Sequence, residues 1–199
     1  MDRLLLLVPT TTYRAAPFSD AARALGVAVT IASEKPSTLE ELRPAELLTL
    51  DFSRPEAAAE QASAFARQHP LQAVLAVDDG ATEAAAAIAE RLGLRHHSRE
   101  AIAAARDKLR CREVLGAANL PQPAWWLVTE GDDPVEVARE LAAGGNARAG
   151  AAVVGFPCVL KPRRLAASQG VIRANDSDEF TAALARLRAL LAEPTVGRL

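Results

Sequence analysis

The chain has 199 residues, half of them hydrophobic, with aromatics at 4% and a formal net charge of −2. That length gives one or two domains with ample chain for a core, and the core must be aliphatic. A near-neutral balance argues against nucleic-acid and anionic-membrane partners, because both need concentrated positive charge.

Residues 4–8, LLLLV, form an apolar run of strand length. The run is far below the ~20 residues that span a bilayer, and it leads into TTTYR without a clear cleavage site. It reads as a first strand. Ser19 can cap a short helix that Gly26 ends. Residues 27–32 read as a second strand and 46–50 as a short third. Ser53-Arg54-Pro55-Glu56 has the form of a capping box, so a helix is expected to about Gln68. Residues 71–77 read as a fourth strand. An alanine-rich helix follows over 82–92, with Ala84, Ala85, Ile88 and Leu92 on one face and Gly93 as its stop. Strands fed by helices at this spacing predict an α/β, doubly wound parallel sheet.

The pattern changes after His97. Ser98 can cap a short helix, and Asp107 the next, which Asn119 and Pro121 stop. Residues 125–128 read as a strand and 134–143 as a helix. Residues 144–152 are small or polar and read as a loop. Two strands then flank residues 161–170, in the form of a hairpin. A last helix opens at Asp176, with Phe180, Leu184, Leu187 and Leu191 as its stripe. Two domains are expected, 1–97 and 98–199.

The chemistry is concentrated in VGFPCVLKPRRLAASQGVIRA, residues 154–174. A buried strand ends on Lys161, two arginines follow, and then comes a loop of small residues. A cation at a strand end, beside backbone N–H groups that can approach closely, suits a polyphosphate. Lys161 shares a strand face with Val159, where an ammonium is costly unless an anion meets it. The plainer alternative is a lysine reaching to water. Ser168, Gln169 and Gly170 would fold over the phosphates through their backbone, or form an ordinary hairpin loop. Upstream, Lys108 sits in a first helical turn, where it opposes the macrodipole. That placement suggests a ligand, with Arg112 one turn on able to join it; a solvated helix start is the alternative. Of Arg163 and Arg164, at least one is expected to be only exposed.

Asp107, Lys108, Arg112, Leu120, Pro121, Pro123, Lys161, Pro162, Ser168, Gly170 and Val171 together resemble the nucleotide-binding lobe of the ATP-grasp ligases. The first half resembles the family's N-terminal domain. The resemblance implies a Rossmann-like pre-ATP-grasp domain followed by an α+β first ATP-grasp lobe. It implies ATP held by Lys108, Lys161, Arg163, Ser168, Gln169 and Gly170, with Lys161 on the α- and β-phosphates. It also implies an ATP-dependent carboxylate–amine ligase acting through an acylphosphate. Ala166 and Ala167 depart from the family, which often has glycine there, so the loop is expected to be stiffer. The implied Mg²⁺ ligands and catalytic arginine would lie beyond Leu199. The stretch is therefore expected to be a fragment or a natural short form, inactive by itself; the alternative is a non-catalytic nucleotide-binding module.

The remaining candidates lie in the first half. Asp78, Asp79 and Gly80 follow the fourth strand, and ligands sit beyond the carboxyl ends of such strands. Asp79, Thr82 and Glu83 are candidate contacts for a small carboxylate substrate, or simply turn and cap residues. Thr10, Thr11, Thr12 and Tyr13 face the same rim, as substrate donors or as caps. His96 and His97 are adjacent and make a poor metal pair. Cys111 and Cys158 are the only cysteines, which forms no disulfide framework and points to a reducing, cytoplasmic setting. Cys158 reads as a core residue. A homodimer is left open.

Overall fold

The computed structural model describes residues 2–10, 12, 14–144, 154–193 and 196. They fall into two compact units, Met1–Ala103 and Ala104–Leu199. The division expected at 97/98 precedes helix α4 (Arg99–Arg106), in which the two units meet along the chain.

The first unit is a four-stranded parallel sheet in the order β3-β2-β1-β4. Its strands are β1 (Arg3–Leu7), β2 (Ala28–Ser33), β3 (Leu47–Thr49) and β4 (Ala73–Ala76). Leu5 of β1 pairs with Thr30 on one side and Val74 on the other. Leu5, Leu6 and Leu7 have no exposed surface, as expected of a central strand covered on both faces. Leu5 and Leu7 join Leu50, Ala58, Ala62, Ala84 and Ile88 in one cluster with helices α2 (Pro55–Ala66) and α3 (Thr82–Arg91). Alanine allows these two helices to approach the sheet and each other closely; every residue from Ala84 to Ala89 is buried. Thr30 is fully buried, but its hydroxyl donates to the Ala45 carbonyl at 2.7 Å and accepts from Arg3.

Two expected caps do not form. Helix α1 (Ala15–Ala24) begins at Arg14, with Ser19 inside it; Gly26, at φ +66°, ends it as expected. Helix α2 starts at Pro55 without a side-chain cap. The Ser53 hydroxyl donates to Asp51 at 2.6 Å instead, and Glu56 pairs with Arg99 at 2.5 Å.

In the second unit, α5 (Lys108–Ala117) is capped by Asp107, and Asn119 takes the left-handed conformation beyond its end. Residues 121–129 have no regular structure, which corrects the strand expected at 125–128. Two of their side chains, Trp126 and Val128, pack on the core. Helix α6 (Pro134–Ala142) and helix α7 (Ser177–Leu191) cover a hairpin of β5 (Cys158–Leu160) and β6 (Ile172–Ala174). The core comprises Val137, Leu141, Leu160, Phe180, Leu184 and Leu187; Leu191, expected on this stripe, is 43% exposed. The Phe156–Pro157 peptide is cis. The loop expected at 144–152 lies outside the described residues from 145 onward.

Candidate functional site

The antiparallel pairing of β5 and β6 places residues 161–171 at one end of the hairpin. Val159 is 50% exposed and Leu160 is 8% exposed, so the alternation puts Lys161 on the solvent side with Val159. Lys161 is exposed, and no described residue pairs with its ammonium. The apolar face expected around it is thus a wet one.

The loop returns through left-handed residues. Ala167, Ser168 and Gly170 have φ of 51°, 60° and 68°. The Gln169 and Val171 N–H groups bond within the loop, to Ala166 at 3.1 Å and Ser168 at 3.2 Å. No backbone acceptor among the described residues meets the Ala167, Ser168 and Gly170 N–H groups. Backbone N–H groups left without a backbone acceptor in a left-handed turn are of the kind that can meet an anion. Gly170 has a second duty: a Cβ on it would lie 2.8 Å from Leu187 Cδ1 and 3.0 Å from Leu190 Cδ2. The loop is therefore seated on α7 at this point.

Asp107 and Lys108 come to the same loop. The Lys108 N–H donates to the Arg163 carbonyl at 3.0 Å, and its Nζ donates to the Leu165 carbonyl at 2.7 Å. These oxygens explain how a lysine is tolerated at a helix start, without a ligand. Asp107 Oδ1 accepts from the Leu109 N–H at 3.0 Å and from Arg163 Nε at 3.1 Å. Its Oδ2 takes a short bond from the second arm of the same guanidinium, with Arg164 Nε at 3.8 Å. Burial raises the Asp107 pKa, but the Arg163 hydrogen bond and the helix N–H donors outweigh it and hold the group below its usual value. Arg163 is raised in turn, chiefly by that bond. The side chains of Arg163 and Arg164 are 53% and 65% exposed, yet both turn toward Asp107. Arg112 is half-buried, and its carbonyl accepts from Gln122 at 2.9 Å. Burial pushes the Cys158 thiol up, as for an inert core cysteine.

In the first unit the chain runs from β1 outward to β2 and β3 and then returns to β4 on the other side. The order reverses between β1 and β4, and open α/β sheets bind ligands beyond the carboxyl ends of strands at such a point. Asp79 is exposed there; Thr82 and Glu83 are half-buried. Asp78 accepts from the Asp79 N–H at 2.8 Å, and the Thr82 hydroxyl donates to the Asp79 carbonyl at 2.8 Å. Tyr13 and Thr11 lie outside the described residues. Thr10 binds Glu34, beyond β2, through its N–H at 3.0 Å and its hydroxyl at 2.9 Å. Sequence reading missed Glu34, because nothing local links it to residue 10. His96 Nδ1 contacts the His97 carbonyl. Among the described residues no three His, Cys, Asp or Glu side chains gather as metal ligands. No helix among the described residues is long and apolar enough to cross a membrane. A shallow surface groove of about 620 Å³ lies between α6 and α7, lined by Ala138, Ser177 and Thr181, and it does not include the loop.

A parallel-sheet domain followed by a hairpin whose loop is gripped by a helix start defines a class, and the comparisons agree with it. Residues 19–96 match the ATP-grasp N-terminal domain, and residues 154–196 match the ATP-grasp domain. The chain belongs to the ATP-grasp superfamily. Over 79 residues it is 37% identical to a D-alanine–D-alanine ligase of Deinococcus radiodurans, a match spanning 39% of this chain and 21% of that protein. Its fold is similar to that of the carboxyaminoimidazole ribonucleotide synthase of Aspergillus clavatus, solved with ATP (TM-score 0.65, 20% identity, 94% of this chain and 45% of that one). It is also similar to the L-amino acid ligase of Bacillus licheniformis (TM-score 0.63, 18% identity, 94% and 42%). The chain thus spans less than half the length of these solved relatives.

Proposed function

We propose that this chain supplies the N-terminal domain and the phosphate-holding hairpin of an ATP-dependent carboxylate–amine ligase. The observation that supports the reading most is the loop 161–170. It joins a lysine with no partner among the described residues to the N–H groups of Ala167, Ser168 and Gly170, in a chain whose relatives are ATP-grasp ligases. Lys161 and the 167–170 backbone would hold the phosphates. Lys108 would keep the loop in place through the Leu165 carbonyl. A substrate carboxylate would sit at the rim of the parallel sheet, near Asp79, Thr82, Glu83 and Tyr13. In the complete enzyme that carboxylate would attack the γ-phosphate and release ADP. An amine would then displace phosphate from the acylphosphate. Positive charge from Lys161 would offset the charge that develops during transfer.

The test is a thermal-shift titration with MgATP of the wild type, Lys161→Ala and Lys108→Ala. The shift is expected to shrink in both variants. Lys108→Ala should also lower the melting temperature without nucleotide, because it frees the Leu165 carbonyl, while Lys161→Ala should not. Equal nucleotide shifts in all three proteins would remove both lysines from the site.

A further inference from the structure

Asp107 is more than a helix cap. Both helix N–H groups that it satisfies, from Leu109 and Arg110, go to Oδ1 alone. A neutral serine or asparagine serves that purpose equally well. A carboxylate with 6% of its side chain exposed is costly to hold unless a cation meets it. The Arg163 fork meets it on both oxygens, the most directional pairing available to these groups. On the next residue, Lys108 takes the carbonyls of Arg163 and Leu165. Successive residues of one segment therefore grip the loop in complementary ways. The acid holds a side chain, and the lysine holds the backbone. The grip falls between Lys161 and the left-handed residues Ala167, Ser168 and Gly170.

We propose that Asp107 and Arg163 are positioning residues: their pair fixes the start of the loop so that Lys161 and the 167–170 backbone hold one arrangement. This rests on the phosphate reading above and changes the role of one residue within it. The buried carboxylate fills the Nε–Nη2 edge of Arg163, and that pairing fixes where the start of the loop sits. A loop fixed in advance binds its anion without a fresh ordering cost.

The experiment uses the full 199-residue chain. Asp107→Asn keeps the size and the cap but removes the charge. Arg163→Gln is a second variant at a half-exposed side chain, and Arg164→Ala is the control. Two readouts are taken under conditions where all the proteins are folded: amide exchange at Gln169 and Val171 without nucleotide, and MgATP affinity. Asp107→Asn and Arg163→Gln should each speed exchange at both amides about tenfold and weaken MgATP about tenfold, the scale of one lost charge-assisted hydrogen bond. The double variant should be no worse than either single one, and Arg164→Ala should match the wild type. Unchanged exchange in Asp107→Asn would overturn the proposal. So would tighter MgATP binding in that variant, the result expected if Asp107 were holding back a phosphate ligand. A wild type that does not bind MgATP would defeat the proposed function, and the exchange readout would still decide the latch.

Discussion

Glycines that look alike in sequence differ sharply in what they do. Gly170 needs φ +68° and has α7 leucine methyls at the place of a Cβ, whereas a Cβ on Gly80 would meet nothing within 4 Å. Gly170→Ala should therefore cost about 1–3 kcal/mol, through left-handed strain and overpacking. Gly80→Ala should stay within about 0.5 kcal/mol. Urea denaturation of both variants checks the contrast, and a silent Gly170→Ala would contradict the packing described. Ala167 and Ser168 also sit at positive φ, where an L-residue is strained. The backbone there is held by its surroundings, and the alanine that departs from the family occupies a position suited to glycine.

Asp107 gives a pH prediction of definite sign. Its pKa is lower in the folded protein than in the unfolded chain, where an aspartate titrates at about 3.9. The unfolded state therefore takes up the proton first as the pH drops. The stabilisation is complete above about pH 4 and is lost as the pH falls through the still lower folded value. Asp107→Asn should flatten the acid limb of stability below about pH 4 and leave other carboxylates to account for the rest. An unaltered acid limb would show that the group is not depressed.

At the scale of elements, capping separates what local sequence decides from what it does not. Asp107, Asp133 and Asp176 all cap the helices that follow them. Each is an acid directly before a helical run, with no nearer competitor. Ser53 fails because Asp51, two residues away, accepts its hydroxyl. Asp176 accepts the Glu179 N–H at 2.9 Å, and Glu179 reaches back to Asn175 at 2.9 Å. Asp176→Ala should therefore cost about 1 kcal/mol, read as a shift in the urea midpoint of the second unit, whereas Ser53→Ala should leave α2 unaffected. The 121–129 segment shows the opposite limit. Its apolar residues suggested a strand, but a strand needs a partner edge, and no local pattern reveals whether one is present.

At the scale of the molecule, each unit has its own buried cluster. Ile88 is fully buried in the first. Ile88→Ala should cost about 2–5 kcal/mol there. Faster amide exchange is expected across residues 1–103, with the 158–174 hairpin keeping its protection. Equal loss in both units would mean that they unfold as one.

Periodicity and turn residues were enough to read the alternating first half, its parallel sheet and the hairpin around Lys161, although the caps expected at Ser19 and Ser53 do not form. These signals are local, and each residue carries its own share of them. Strand order, and with it the reversal between β1 and β4, required the folded sheet, because pairing partners lie tens of residues apart. The same holds for the grip of residues 107 and 108 on 163–165. A buried acid and a distant arginine find each other only when packing removes water from between them, and a sequence read residue by residue contains no distance.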